Sequence, residues 1–269
     1  YLTRVRRDGG LSSAVFEWNG NGLTVVADGL EWFFQAQYLP HEEKAAIVGQ
    51  KAGALSGSAA NLGERGLFAP GIYRLQWQSE TLVSQGRLDL PEGTQIYGFA
   101  SGDLMGNGGR QVLRYSRRDL LQLFNSENVE EWCSADAYGG STTYLEVAVG
   151  IDPEDNARYY LAQRLRLAAG ERDQKYRAIV SRNEEAGRRI FRRFRKFTGG
   201  WMEILAWNGV GLQTEWQSQR LAGYVSDFVL ADMDHDGRRD LVYAQVSGSG
   251  SFSRSSKSRI YIQALEGIF

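Results

Sequence analysis

Cysteine is almost missing from this chain. The single Cys133 excludes an internal disulfide and any cysteine-ligated metal cluster. Its place in the aromatic run Glu130-Glu-Trp-Cys-Ser134 reads as that of a small buried hydrophobe rather than a nucleophile. Histidine is nearly as scarce. With only His41 and His235, no zinc-ligand spacing forms, and no nucleophile elbow is present. Proline occurs 4 times against 32 glycines, a balance that favours many tight turns. Neither sign of charge dominates: 31 basic against 32 acidic residues leave a net charge of −1. No global field therefore directs the chain to nucleic acid or an anionic membrane. No apolar run approaches the ~20 residues needed to span a bilayer. The sequence opens at Tyr1 rather than Met and shows no signal-like segment, so we expect a processed or excised piece.

What is present is aromatic and repetitive. Hydrophobic residues make up 42% of the chain, with 7 Trp, 13 Tyr and 12 Phe, enough for a substantial core and unlike a disordered polypeptide. Phe16-Glu-Trp-Asn-Gly-Asn-Gly-Leu23 recurs as Leu205-Ala-Trp-Asn-Gly-Val-Gly-Leu212 and, more weakly, as Leu75-Gln-Trp-Gln-Ser-Glu-Thr-Leu82. Each reads as a strand, a tight turn and a second strand, with Asn-Gly supplying the positive φ angles of a two-residue hairpin. Trp18, Trp77, Trp132 and Trp207 recur at this spacing and are expected in the core.

The richest stretch is Ser226 to Tyr243. In Asp232-Met-Asp-His-Asp-Gly-Arg-Arg-Asp240, alternate carboxylates precede a glycine that permits a sharp bend. Four carboxylates gathered this way repel one another unless a hard cation joins them, and Ca²⁺ suits a flexible shell of six to eight oxygens. The expected ligands are the side chains of Asp232, Asp234, Asp236 and Asp240 and the backbone carbonyl of Arg238, completed by water. Tyr243 stands where an EF-hand places Glu, and the flanks read as strands, so this is not an EF-hand. The competing possibility is a solvated acidic hairpin turn without an ion.

Worn copies of this unit recur. Laid over it without gaps, Gly102 to Arg114 keeps Asp103 but has Met105, Asn107 and Gln111 at the other carboxylate positions, so no ion is expected. Ala168 to Val180 keeps Glu171 and Asp173 and puts Arg177 at the closing position, where it neutralises the pair itself. Tyr38 to Val48 is a fourth, shortened copy without ligand geometry. Units spaced this way, each holding up to four short strands, predict an all-β fold: a β-propeller of four-stranded antiparallel blades in a single domain over 1–269. The blades fall at 1–29 (partial), 33–89, 96–136, 144–216 with insertions, and 224–265 (partial). Either about five blades close a ring or the chain is part of a larger, seven-bladed propeller. The start at Tyr1 favours the second.

Three segments interrupt the repeat. Residues 52–70 and 246–258 are rich in Gly, Ala and Ser and read as long loops. Ser181 to Gly200 carries helix punctuation: Ser181 or Asn183 as cap, Glu184 and Glu185 in the first turn, basic residues late, and Gly199-Gly200 as a stop. One short inserted helix is expected, with Ile190, Phe194 and Phe197 on one face among Arg188, Arg189, Arg192, Arg193, Arg195 and Lys196. It is either a docking helix for an anionic partner or a helix with solvated arginines. The Gly-rich run from Ala137 leads into an extra strand near Tyr144 and lacks the spacing of a phosphate loop.

On these residues the chain resembles the FG-GAP or VCBS-repeat β-propeller family, which includes the heads of integrin α-subunits. The resemblance extends to the propellers of exported bacterial VCBS-repeat proteins through the Trp-Asn-Gly strands, Gly139 to Tyr144 and Gly223 to Asp227. It implies calcium-stabilised blades with one good ion site here, no catalytic activity, and an exported location that is periplasmic, outer-membrane-associated or extracellular. The expected role is a scaffold or protein-interaction module of the bacterial cell envelope. Its partner would be an unknown protein or polysaccharide of the envelope, or an upstream part of the same protein, with no nucleic acid and no membrane span. The alternatives are a carbohydrate-binding, lectin-like propeller using Tyr138 or Tyr144 and, third, a hydrolase.

Overall fold

The computed structural model describes residues 2–3, 11–40, 42, 44–53, 67–148, 156–170, 173–186, 195–248, 256–265 and 267–269. These residues form twenty strands and no helix, so no described helix is long and apolar enough to cross a membrane. They fall into two compact units, Tyr1–Tyr97 with Tyr144–Tyr160, and Gly98–Thr143 with Leu161–Phe269.

In the first unit, β1 (Ser13–Trp18) and β2 (Leu23–Leu30) form a two-stranded sheet. The strands β3 (Phe33–Gln37), β4 (Ala46–Gln50), β5 (Tyr73–Gln78) and β6 (Thr81–Arg87) form a four-stranded antiparallel meander. The two sheets meet through Leu30, Phe34, Leu75 and Leu82, with Trp32 and Trp77 packed alongside. The buried Gln50 amide accepts from the Ile96 N–H at 2.8 Å and donates to the Ala69 carbonyl at 2.8 Å. It thereby satisfies backbone groups that the sheet ladder does not reach.

The second unit contains β7 (Phe99–Gly102), β8 (Gln111–Tyr115), β9 (Leu120–Phe124) and β10 (Glu130–Ala137) as a second four-stranded meander. Between it and the next sheet in sequence, β11 (Tyr144–Ala148) and β12 (Asn156–Tyr160) pair as the extra hairpin that belongs to the first unit. The next sheet comprises β13 (Leu165–Ala169), β14 (Tyr176–Glu185), β15 (Phe197–Trp207) and β16 (Leu212–Gln217), with the short β17 (Leu221–Ala222) on the far end of β15. The last comprises β18 (Tyr224–Ala231), β19 (Asp240–Ser247) and β20 (Lys257–Gln263). All pairings between strands are antiparallel, and the expected four-stranded antiparallel units are present.

The middle sheet of the second unit is apolar on both faces. Ala178, Val180 and Leu205 pack with Ala100, Leu113, Leu121 and Leu123 of the preceding sheet. Ile179, Met202 and Ile204, on the alternate positions, pack with Val225, Phe228, Leu241 and Tyr243 of the following one. Both faces covered is why β14 reads as a continuous buried run rather than an alternating one. At the first interface the approach is close: a Cβ on Gly211 would lie 2.5 Å from Trp132 Nε1, so only glycine fits beneath that indole.

Four expectations need correction. No helix spans 181–200. Ser181–Glu185 and Phe197–Gly200 are strand, paired Asn183 to Gly200, Glu184 to Gly199 and Glu185 to Phe197, while residues 187–194, including the arginines at 188, 189, 192 and 193, lie outside the described residues. The cap and stop residues serve as hairpin flanks because the Asn183 side chain bonds away from its own hairpin, donating to the carbonyls of Gly140 (2.7 Å), after β10, and Val225 (2.9 Å), in β18. Trp18 is 64% exposed at the end of its two-stranded sheet, whereas Trp77, Trp132 and Trp207 do pack against cores. Cys133 is exposed, because on β10 it alternates with Trp132 and the buried Ser134. In the Asn-Gly turns, Gly20 and Gly209 take positive φ but the asparagines do not. Instead, Asn19 and Asn208 each accept two following backbone N–H groups at 3.0 Å through Oδ1. The expected loops at 52–70 and 246–258 fall largely outside the described residues.

Leu113 is fully buried between two sheets. Leu113→Ala is expected to destabilise the second unit by about 2–5 kcal/mol, seen as a lowered urea midpoint. Val210→Ala, at an exposed hairpin tip, should stay within about 0.5 kcal/mol of the parent.

Candidate metal centre

Asp232, Asp234 and Asp236 lie in the tight connection between β18 and β19, which Ala231 and Asp240 close as a strand pair. Each of the three offers a carboxylate oxygen, and these atoms all lie within 4.8 Å of one another. That is about the widest separation that two ligands of one Ca²⁺ can have at roughly 2.4 Å each. Asp232 Oδ1 accepts the Asp236 N–H (3.1 Å) and Oδ2 the Gly237 N–H (3.1 Å), while Asp236 Oδ1 accepts the Arg238 N–H (2.7 Å). These bonds fold the loop so that the carboxylates converge. Both His235 (φ 63°) and Gly237 (φ 86°) adopt the left-handed conformation needed.

Asp240 is placed differently. Its Oδ2 accepts the Met233 N–H at 3.3 Å, and it is outside the convergent group of three. Arg238 is exposed and bound to Asp236 through its N–H. His235 is likewise exposed.

The two worn copies have the same backbone plan. Strand pairs Gly102 to Gln111 and Ala168 to Arg177 occupy the places of Ala231 to Asp240. Gly108 (φ 76°) and Gln174 (φ 55°) stand where Gly237 does. The fifth-position side chain accepts the N–H two residues later in every case, Asn107 from Gly109 (2.9 Å) and Asp173 from Lys175 (3.1 Å). What differs is the closing ninth residue. Gln111 Nε2 donates to Asn107 Oδ1 at 3.0 Å. The Arg177 guanidinium grips Asp173 at 2.9 and 3.1 Å and Glu215 at 2.5 and 3.1 Å. In those copies an internal N–H faces the fifth position; at 232–240 the closing residue is a carboxylate. Glu171 lies outside the described residues, and Glu215, from β16, is the arginine's second partner that the repeat alignment did not reveal.

Comparison of the chain with protein-family models finds no match, and comparison with curated proteins finds none either.

The Arg177 hydrogen bond, helped by the Lys175 N–H, holds the Asp173 carboxyl down at about 2 against an ordinary 3.8. Glu215 first, then Asp173, raises the guanidinium's pKa. A depressed carboxyl contributes stability above its unfolded pKa and loses it as pH falls through the folded one. The contribution is therefore present above about pH 4 and disappears towards pH 2. We expect the Asp173 carboxyl, followed by ¹³C NMR, to titrate near 2 in the parent and return towards 3.8 in Arg177→Met, with acid unfolding beginning at a higher pH in the variant.

Proposed function

We propose that this chain is a β-propeller of the FG-GAP or VCBS-repeat kind, a non-enzymatic, calcium-stabilised scaffold or protein-interaction module of the bacterial cell envelope. In this reading the antiparallel meanders are blades, either closing a ring of about five or forming part of a larger propeller. The observation that carries it is the loop comparison. Three first-to-second-strand loops share one backbone plan, and the one without an internal N–H at its closing position gathers Asp232, Asp234 and Asp236 within 4.8 Å.

The donor set fits a hard cation: carboxylate oxygens only, in a loop exposed enough to keep water in the shell. Asp232, Asp234 and Asp236 would hold the ion, with the Arg238 carbonyl and Asp240 completing the set after a small adjustment. The ion would supply positive charge that lets the carboxylates converge, and through them it would brace the β18–β19 corner. Its role is structural. An exported location follows from the same reading, since extracytoplasmic calcium is abundant enough to saturate a weak site. Contact with an envelope protein or polysaccharide, or with an upstream part of the same protein, would come through the loops.

Calorimetry with Ca²⁺ tests this. The parent is expected to bind one ion with a dissociation constant on the order of 10⁻⁴ M, as exposed extracellular sites do, and Asp234→Ala to lose that binding. Placing Asp at 105, 107 and 111 together should create a second site in the worn loop. Parent and Asp234→Ala titrations that coincide would contradict the proposal.

A further inference from the structure

A cleft of about 240 Å³ opens in the second unit among residues of β14, β15 and the end of β10. Its walls include Asp119, Asp136, Tyr138, Arg182, Glu184 and Trp201. Arg182 and Trp201 are direct cross-strand neighbours, and the guanidinium lies 5.0 Å from the Tyr138 ring centre and 5.6 Å from that of Trp201. Beneath them Glu203 is 2% exposed. Its carboxylate accepts from Trp201 Nε1 (2.6 Å) and Thr214 Oγ1 (3.0 Å), with Arg182 NH1 at 3.6 Å. This holds the indole and the guanidinium in fixed orientations, as a preorganised site requires.

The charges here are matched in place. Arg182 pairs with Asp136 at 2.8 Å, Arg195 with Asp119 at 2.9 Å, and Arg220 with Glu184. An anionic ligand would meet several carboxylates, and a cationic one would meet the like charge of the Arg182 guanidinium. A hydroxyl both donates and accepts, so it can bond a carboxylate and an adjacent guanidinium without disturbing either pair. The volume lies below the roughly 300–1,000 Å³ of drug-sized sites, which limits the ligand to about one ring. Amphipathic rings such as Tyr138 and Trp201 offer an apolar surface beside polar partners.

We propose that this cleft binds a neutral saccharide unit, with Tyr138 and Trp201 as its apolar wall and Arg182 with Asp136 as its hydroxyl partners. The site is independent of the propeller reading and of the acidic loop. The test is calorimetry of the whole chain with the methyl glycosides of glucose, galactose, mannose, fucose and N-acetylglucosamine, with butylammonium and inorganic phosphate as charged probes. At least one glycoside is expected to bind saturably and to shift the Trp201 indole N–H signal in NMR. Both Asp136→Asn and Arg182→Met should weaken that glycoside by about tenfold or more, whereas Asp234→Ala leaves it unchanged. Asp136 is largely exposed, so its variant is expected to fold, and the parent's own indole shift does not depend on either variant. Silence across the glycosides, binding that leaves the Trp201 signal unmoved, or saturable binding of a charged probe in their place overturns the proposal.

Discussion

Each sheet of the second unit turns from its first strand into its second through a corner so tight that backbone N–H groups point inward with no strand to receive them. An acidic or amide side chain takes them: Asp103 accepts two, Asp232 accepts two, and Asp173 accepts one. Hydrogen bonds to an ionised acceptor are among the stronger local ones, so they set the corner and with it the register of the strands that follow. The side-chain oxygen at the fifth position of each loop, Asn107 in one and Asp173 in another, then needs a donor or countercharge of its own. Gln111 supplies an amide and Arg177 a guanidinium. The third loop has only another aspartate. Its convergent group is thus the exception to a rule that its neighbours define, and the cation reading grows from that comparison rather than from acidity alone.

The corners matter because the sheets between them are packed by shape. The β13–β16 sheet buries apolar side chains on both faces, and a register slip of one residue in β14 would exchange the two sets. A fixed corner prevents that. Beyond the packed region β14 and β15 continue, and the same alternation that points Ala178 and Val180 at the preceding sheet points Arg182 and Glu184 into the cleft above it. Core and cleft are consecutive stretches of the same strands.

Much of this was legible in sequence. The ungapped alignment of 102–114, 168–180 and 231–243 matches three equivalent strand pairs, because the spacing of loop side chains is set locally. The Asn and Gly residues of the Trp hairpins marked their turns for the same reason. Other features depended on distant partners. Residues 181–200 carry cap, charge and stop signals that suit a helix, yet Asn183 is claimed by Gly140 and Val225, and no local pattern contains those contacts. The repeat places Trp18 in the core and the aromatic run around Cys133 does the same for the thiol, but exposure depends on what covers a strand. Trp18 ends a two-stranded sheet, and Cys133 faces outward from an edge strand. The Arg182–Glu203–Trp201 arrangement combines residues of β14 and β15 across a connection whose pairing the helix reading had hidden.

The loop at 232–240 is proposed to hold a cation, and its copy at 103–111 is not. Anomalous scattering from crystals grown in excess calcium measures that difference directly. It should place one peak among the carboxylates of Asp232, Asp234 and Asp236 and leave the Asp103–Gln111 loop without one. No peak at the first loop, or equal peaks at both, would contradict it.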